Sequence, residues 1–347
     1  MDFPEVLIFD AADGKSDAAE ELDRRIGGAG IRAPFVLSSR HGRELADRTG
    51  SPFPVRIRPP RADQSWAAEL GSEVHRLGAD AVVAAGGGLT LDVAKLAAAR
   101  AGVPIVAVPT QLSHDGICSP VAVVPDERGR AQSLGAIAPR MVFVSVPTIV
   151  GAPVASVRAG IGDLLANPLA LRDWALAVEH GLEEMDDDAW QMSVKSHRVI
   201  ERHLNSDMNV AAKDADFLRE LANALILSGM AMISAGTSRP ASGGEHEISH
   251  AIDQLFGGRA LHGAQVAFGC IVSVALYDDD VESFRILLER LGLPQHPSEL
   301  GLNEDDVVGV LLEAPNTRPG RFTILEDADL DDAAARALVR RIWGKSW

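Results

Sequence analysis

Short apolar runs alternate with amphipathic helical segments through the first half of the chain. The runs are too short for helices and end at Gly, Pro or charged residues, so we interpret them as strands. The predicted strands cover residues 6–9, 35–38, 55–57, 81–85, 105–108, 121–124 and 142–146. The predicted helices between the early strands cover residues 18–26, 43–48, 65–77 and 91–101. This alternation predicts an α/β domain with a parallel sheet and helices on its faces.

Strand candidates almost disappear after Pro147, and long helical segments separated by Pro and Gly follow. These predicted helices cover residues 153–181, 188–204, 215–235, 244–256, 263–277, 281–291, 304–313 and 331–343. We therefore predict an α/β domain over residues 1–150 and an all-helical domain over residues 151–347. The length of 347 residues agrees, since about 150 residues per domain is typical.

The composition narrows the class of protein. Hydrophobic residues make up 46% of the chain and charged residues 24%, as in an ordinary globular protein. The 49 acidic residues outnumber the 33 Lys and Arg residues, and the net charge of −16 argues against nucleic-acid binding. We expect no membrane span and no signal peptide. With only Cys118 and Cys270 as cysteines, we expect a cytoplasmic protein in a reducing compartment.

Three glycines, Gly86, Gly87 and Gly88, separate a predicted strand from a predicted helix. Glycine lets the backbone turn sharply and approach a ligand, and a helix N-terminus attracts phosphate. A tight turn alone would also explain three glycines. The position at the carboxyl end of a strand, where α/β domains bind ligands, favours a pyrophosphate site.

The loop over residues 109–120 follows the next predicted strand and is rich in hydroxyl, imidazole and carboxylate groups. Because it leaves the neighbouring strand at its carboxyl end, we expect it to line the same crevice. The alternative is a capped turn in which Asp115 satisfies backbone donors.

Candidate metal ligands occur in the helical half. Asp163 lies among small and apolar residues, where a lone carboxylate is costly to bury unless it is paired or metal-bound. His246 and His250 are four residues apart on one helix face, and His262 precedes an apolar helix. One Asp and two His would form a three-ligand site with an open position, as in catalytic zinc sites. Each histidine alone is equally explained as a helix-end or surface group.

Five segments, taken in order, resemble the glycerol-1-phosphate dehydrogenase family. This family is a branch of the superfamily of iron-containing alcohol dehydrogenases, glycerol dehydrogenases and dehydroquinate synthases. The segments are GGG with Asp92, residues 109–116, residues 162–165, residues 238–250 and His262-Gly263. SHDG at 113–116 and SRPASG at 238–243 followed by EHxxxH are specific to this branch, whereas GGGxxxD and HG are shared by the superfamily.

The resemblance implies a dehydroquinate synthase-like fold, with a dinucleotide-binding crevice in the α/β domain and a helical metal- and substrate-binding domain. It implies NAD or NADP as cofactor and one divalent metal, with zinc favoured over nickel or iron. Asp163, His246 and His262 would bind the metal. Asp115, Asp163 and His250 would contact the substrate and act in catalysis. The residues implied at the dinucleotide are Gly86, Gly87, Gly88, Leu89, Thr90, Leu91, Asp92, Thr110, Gln111, Leu112, Ser113 and Ser119.

The implied reaction is the reversible reduction of dihydroxyacetone phosphate, a small phosphorylated triose, to sn-glycerol 1-phosphate. Nicotinamide would supply hydride, the metal would polarise the carbonyl, and a proton would arrive through a hydroxyl, water or His250. Arg239, with Ser238 and Ser242, is the candidate for binding the substrate phosphate, and a helix-end salt bridge is the alternative for Arg239.

Several points stay open. Gly244 and Ala264 stand where the family pattern has serine and glutamate, two departures that bear on the choice of substrate. No acidic residue follows the second predicted strand, and Ser39 and Arg40 are placed to accept a 2′-phosphate, so we predict that NAD and NADP both work. The sequence leaves the metal, the pathway and the oligomeric state open and allows a homo-oligomer.

Rival functions come from different classes. A dehydroquinate synthase-like sugar-phosphate cyclase would share the fold, NAD and metal, but such enzymes resemble one another in a Gly-Gly-Lys segment and a GHxxGH pair. Here those segments read SHDG at 113–116 and EHEISH at 245–250. A glycerol or polyol dehydrogenase would turn over without the substrate phosphate. The three intact ligand candidates disfavour an inactive binding protein.

Overall fold

The computed structural model describes residues 3–10 and 17–344, and every strand in this part of the chain lies before residue 146. The ends of the two predicted domains, residues 1–2 and 345–347, therefore lie outside the described residues. The strands are β1 (Glu5–Phe9), β2 (Pro34–Ser38), β3 (Arg56–Ile57), β4 (Ala81–Gly86), β5 (Ile105–Pro109), β6 (Val121–Pro125), β7 (Ala131–Gly135) and β8 (Met141–Ser145). Six of them form a parallel sheet in the order β1-β8-β5-β4-β2-β3, and β6 and β7 form an antiparallel hairpin.

Helices cover the sheet and build the second half of the chain. They are α1 (Ala18–Gly28), α2 (Arg43–Ala46), α3 (Gln64–Leu77), α4 (Gly88–Ala101), α5 (Val146–Val150), α6 (Val154–Leu165), α7 (Asn167–Glu179), α8 (Asp187–Glu201), α9 (Met208–Ala211), α10 (Ala215–Ala235), α11 (Gly244–Phe256), α12 (His262–Leu276), α13 (Val281–Leu291), α14 (Glu304–Glu313), α15 (Ile324–Ala328) and α16 (Asp332–Trp343). Short 3₁₀ turns occur at Arg40–Gly42, Asp115–Ile117, Pro297–Leu300 and Ala314–Thr317.

The predicted fold class, a parallel α/β region followed by helices, is confirmed. Three local predictions need correction. The strand at 121–124 forms, but it pairs with the unpredicted β7 outside the parallel sheet. The strand predicted over 142–146 ends at Ser145, whose side chain caps α5. The helix predicted over 153–181 is divided into α6 and α7, because Pro168 lacks an N–H and starts a new helix.

The sheet brings the glycine turn and the next loop side by side. All residues of β4 and β5 are buried, as expected for central strands of a parallel sheet covered on both faces. In their parallel register Gly86 is paired with Pro109, so the two strands end at the same level. The segments that follow, at Gly87 and Thr110, therefore begin next to each other at the carboxyl edge.

Glycines allow α6 to pack closely against α12. A Cβ on Gly162 would lie 2.4 Å from the carbonyl oxygen of Gly263, and a Cβ on Gly263 would lie 2.0 Å from that of Ala159. Neither position can hold a larger residue without separating the helices. This close approach brings Asp163, on α6, next to His262 at the start of α12.

One described helix, α10, is long and apolar enough to cross a membrane by length and composition. Its most apolar window is 67% buried inside the protein, where α10 packs against α8. Its apolar side chains, among them Leu221, Leu225 and Ile233, belong to the main hydrophobic core. Helix α10 is thus packed as a core helix.

Candidate active site

A cavity of about 730 Å³ lies between the carboxyl ends of β4 and β5 and the first turns of α11 and α12. Nine of the residues predicted to bind a dinucleotide line it: Gly87, Gly88, Leu89, Thr90, Asp92, Thr110, Gln111, Ser113 and Ser119. The other three, Gly86, Leu91 and Leu112, do not line it, and the side chains of Leu91 and Leu112 are buried in the core. Any ligand contact at those three positions would involve their backbone.

Each glycine of the turn faces a different side chain of the site. Added Cβ atoms would lie 2.7 Å from Oγ1 of Thr90 at Gly86, 2.8 Å from Nε2 of Gln111 at Gly87 and 2.3 Å from Nε2 of His114 at Gly88. Among the described residues no side chain caps α4, which begins at Gly88. The turn thus presents backbone to the cavity at a helix N-terminus, the arrangement that suits a pyrophosphate.

Asp92 and Lys95 tie this turn to the neighbouring loop. The buried ammonium group of Lys95 donates to Asp92 at 3.2 Å and to the carbonyl oxygens of Gly116 and Val121 at 2.6 and 2.7 Å. Asp92 also accepts a hydrogen bond from the N–H of Val123 at 3.1 Å. Asp92 and Lys95 therefore hold α4, the loop and the β6 strand together as a pair.

Three side chains converge in the helical half. One oxygen of Asp163, Oδ1, lies 3.7 Å from Nε2 of His246 and 3.9 Å from Nε2 of His262. The three candidate ligand atoms lie within 4.8 Å of one another. Asp163 comes from α6, His246 from α11 and His262 from α12, so the site depends on the packing of three helices.

The donor set fits a divalent cation. Oδ1 of Asp163 is buried and has no hydrogen-bond partner in the described part of the chain, although such atoms are normally paired. Its other oxygen, Oδ2, accepts the backbone N–H of Asp115 at 2.8 Å, which fixes the carboxylate. One carboxylate and two imidazoles leave a fourth position open, as in catalytic zinc sites.

Glu245 orients His246. The Nδ1–H of His246 donates to Oε1 of Glu245 at 2.8 Å, which leaves the lone pair of Nε2 facing Asp163. Burial lowers the pKa of His246, but the neighbouring carboxylates of Asp163 and Glu245 outweigh it and raise the pKa to about 9. The two carboxylates thus make this imidazole a strong base and a strong ligand.

Asp115 lies beside Asp163 on the loop side of the cavity. It accepts a hydrogen bond from the hydroxyl of Ser228 at 2.9 Å, and Asn167 donates to that hydroxyl at 3.2 Å. Burial and the neighbouring Asp163 raise the pKa of Asp115 to about 8. The structure therefore places this predicted substrate residue next to the candidate metal ligands.

His250 lies one helical turn beyond His246 but is absent from the converging set. Its Nε2 accepts a hydrogen bond from the guanidinium of Arg318 at 3.1 Å, so its proton belongs on Nδ1. Burial, Arg318 and His246 lower its pKa well below the usual range. His250 is therefore a neutral imidazole on the wall of the cavity.

Arg318 and Glu245 were not singled out in the sequence. Glu245 immediately precedes the candidate ligand His246, and this position could have indicated a carboxylate that orients the histidine. Arg318 lies in an irregular loop without periodicity, and only its neighbour Arg321 hinted at a charged cluster. Arg239, the predicted phosphate ligand, instead pairs with Glu183 at 2.9 Å, donates to the carbonyl oxygen of Phe322 and does not line the cavity.

The two departures from the family pattern lie close to this site. A Cβ on Gly244 would lie 3.2 and 3.3 Å from side-chain atoms of Leu325 and Thr323, so those residues occupy the space that a serine would need. Ala264 is half-buried in the first turn of α12 and packs against the core.

Comparison of the sequence with known proteins identifies the family. The family model described as iron-containing alcohol dehydrogenase matches residues 37–153. A glycerol-1-phosphate dehydrogenase (NAD(P)+) of Hyperthermus butylicus is 37% identical over 80% of this chain and 79% of its own. The protein of the same name from Thermococcus kodakarensis is 39% identical over 74% and 72% of the two chains. This chain belongs to the glycerol-1-phosphate dehydrogenase family.

Solved structures of other proteins share the fold. A probable glycerol dehydrogenase from Sinorhizobium meliloti superposes with a TM-score of 0.80 at 22% identity, covering 98% of this chain and 96% of its own. Glycerol dehydrogenase from Schizosaccharomyces pombe gives a TM-score of 0.78 at 18% identity, with 98% and 89% covered. At this identity the likeness concerns the fold, which the glycerol-1-phosphate dehydrogenase family has in common with these enzymes.

Proposed function

We propose that this chain catalyses the reversible NAD(P)-linked reduction of dihydroxyacetone phosphate to sn-glycerol 1-phosphate at a divalent metal. The observation that carries the proposal is the unpartnered Oδ1 of Asp163, aimed at Nε2 of His246 and of His262 beside the glycine turn. Family membership supports the reaction, because the relatives at 37% and 39% identity carry the name of this activity.

Asp163, His246 and His262 would hold the metal. When bound, a divalent metal acts as a Lewis acid that polarises a carbonyl oxygen and stabilises the alkoxide formed on hydride transfer. The ligand types allow zinc, iron or nickel. Glu245 keeps His246 in the tautomer that offers Nε2, and the N–H of Asp115 holds the Asp163 carboxylate in place.

The remaining groups bind cofactor and move a proton. The glycine turn and the loop of Thr110–Ser113 would hold the dinucleotide in the crevice, and both line the cavity together with the metal site. We assign the proton relay to His250. Its Nε2 accepts from Arg318, so Nδ1 carries the proton, and this atom has no protein partner within the described residues.

We expect both forms of the cofactor to bind. Ser39, His41 and Arg58 line the crevice at the end of the sheet, where a cation and polar groups can accept a 2′-phosphate. Arg58, which was not predicted, lines the crevice, whereas the predicted Arg40 does not. We place the reaction in the cytoplasm, because both cysteines are free and buried, as a reducing compartment allows.

A substrate screen tests the proposal. Metal-stripped protein is reconstituted with zinc, nickel or iron, and oxidation of reduced nicotinamide is followed with dihydroxyacetone phosphate, dihydroxyacetone and glycerol. Turnover that requires metal and favours the phosphorylated ketone is expected. Equal turnover of dihydroxyacetone and its phosphate would instead indicate a polyol dehydrogenase, and no net nicotinamide consumption with any ketone would indicate a cyclase.

A further inference from the structure

Two arginines from one loop share the same pair of serines at the wall of the cavity. Nη1 of Arg318 donates to Oγ of Ser238 and to Oγ of Ser242, each at 2.9 Å. Arg321 donates to Oγ of Ser238 at 3.1 Å and to the carbonyl oxygen of Ser242 at 2.8 Å. The second nitrogen of Arg318, Nη2, donates to Ser133 at 3.1 Å and to His250 at 3.1 Å.

These two cations are not in contact with a carboxylate in the described part of the chain, although the charges of Glu245 and Glu247 act on both of them. Neither guanidinium forms an ion pair with a carboxylate in the described ranges, and all the hydrogen bonds above end on hydroxyl, carbonyl or imidazole atoms. Arg239 on the same face differs, because it is paired with Glu183. Burial and the neighbouring Arg318 lower the pKa of Arg321 to about 9, and the charges of Glu247 and Glu245 offset this only in part.

Ser238 and Ser242 provide hydroxyl donors next to the two arginines. Oγ of Ser238 and Oγ of Ser242 each accept N–H groups from the arginines, so their own O–H groups are free to donate elsewhere. Ser238, Ser242 and Ser133 line the cavity together with Arg318. The charge of a guanidinium and the hydroxyl donors beside it form a site for a phosphate dianion at one wall.

Arg318 lines the same cavity as the metal-ligand candidates His246 and His262. His250 contacts both regions, with Arg318 on its Nε2 and its ring 5.9 Å, centre to centre, from that of His262. A ligand whose carbonyl faces Asp163 and His262 can place a terminal phosphate at Arg318. Arg321 lies behind Ser238 and Ser242 and outside the cavity lining.

We propose that Arg318, Ser238, Ser242 and Ser133 bind the phosphate of the triose and that Arg321 is a positioning residue that orients the two serines. The inference rests on the proposed function in one respect, which is that the phosphate belongs to dihydroxyacetone phosphate. It replaces Arg239 as the phosphate ligand. Because Ser133 belongs to the β6–β7 hairpin, phosphate binding also joins the hairpin to the helical half.

Substrate discrimination tests the site. The measured quantity is the ratio of kcat/KM for dihydroxyacetone phosphate to kcat/KM for dihydroxyacetone, in which differences in folded fraction cancel. Arg318→Gln is expected to lower this ratio by about 10- to 100-fold, the effect of losing charge-assisted hydrogen bonds. Arg321→Gln is expected to raise KM for the phosphorylated ketone more than it lowers kcat, with partial rescue by Arg321→Lys. The control Arg239→Lys keeps the wild-type ratio.

A second experiment measures the affinity of the metal-loaded protein for inorganic phosphate by calorimetry. Wild-type and Arg239→Lys proteins are expected to bind phosphate, and Arg318→Gln is expected to bind it at least tenfold more weakly. An unchanged discrimination ratio in Arg318→Gln would overturn the inference even where inorganic phosphate binds, since the site would then hold free anion only. If the wild type reduces no ketone, the proposed function fails, while loss of phosphate binding in Arg318→Gln would still support the anion site.

Discussion

Oε1 of Glu245 lies 2.8 Å from Nδ1 of the adjacent His246, and the same oxygen accepts the N–H of Gly243 at 2.6 Å. One buried carboxylate thus fixes both the start of α11 and the ring orientation of a candidate metal ligand. Partners of this kind set the tautomer and the basicity of ligating histidines.

Replacing this carboxylate is expected to weaken metal binding. Glu245→Gln should lower the metal affinity by roughly 10- to 100-fold, because the amide is a poorer acceptor for the His246 N–H. The affinity is measured by competition with a chelator. Glu247→Gln is the matched control, since Glu247 is equally buried on α11 but accepts from Thr323 at 3.1 Å. Equal losses in both variants would show that Glu245 acts only through stability.

The histidines of the site are expected to separate into two groups. His246→Ala and His262→Ala should lose bound metal, because each removes a nitrogen facing Oδ1 of Asp163. His250→Ala should retain metal and turn over slowly, because its Nε2 is bonded to Arg318 instead. Metal content per folded protein after purification distinguishes them. A metal-free His250→Ala protein or a metal-replete His246→Ala protein would overturn the assignment.

Asp253 should make stability depend on pH. Burial raises the pKa of this carboxyl from 3.8 to about 6, although Gln265 donates to it at 2.8 Å. The native state then holds the proton more tightly than the unfolded chain, so the free energy of unfolding falls as pH rises from about 4 to about 6. The fall is on the order of 2 kcal/mol. Denaturant titrations should show a flatter profile for Asp253→Asn and the wild-type slope for the exposed Asp216→Asn.

Arg58 is expected to favour the phosphorylated cofactor. Its Nε donates to Oγ1 of Thr90 at 2.9 Å, and its guanidinium lines the crevice near Ser39. The wild type should oxidise both NADH and NADPH, and Arg58→Gln should lose roughly tenfold in kcat/KM for NADPH relative to NADH. Arg56→Gln, which removes an exposed arginine paired with Glu73, is the control. Strict use of NADH by the wild type would contradict this prediction.

The sequence predicted those parts of the site that local patterns encode. The glycine turn follows a continuous apolar run, so the strand, the turn and the helix were all visible in one segment. Spacing within α11 placed His246 and His250 on one face, and family resemblance separated their roles. The structure brings together the predicted set of Asp163, His246 and His262.

Local sequence patterns do not predict the direction of a side chain or its contacts with residues far away in the chain. Arg239 is adjacent to Ser238 in sequence, yet its guanidinium turns to Glu183, 56 residues away. Arg318 reaches Ser238 from 80 residues further along the chain, and its loop has no periodic pattern to mark it. The break between α6 and α7 depends on one proline within an otherwise apolar helical sequence, and β7 (AQSLG) lacks the apolar run that marked the other strands.

The most direct test of the central claim is the identity of the product made by the metal-loaded enzyme from dihydroxyacetone phosphate and NADPH or NADH. One glycerol phosphate should form for each nicotinamide oxidised, and an enzyme specific for sn-glycerol 3-phosphate should leave it untouched, as expected for the sn-1 enantiomer. Formation of the sn-3 enantiomer, or loss of dihydroxyacetone phosphate without matching nicotinamide oxidation, would contradict the claim.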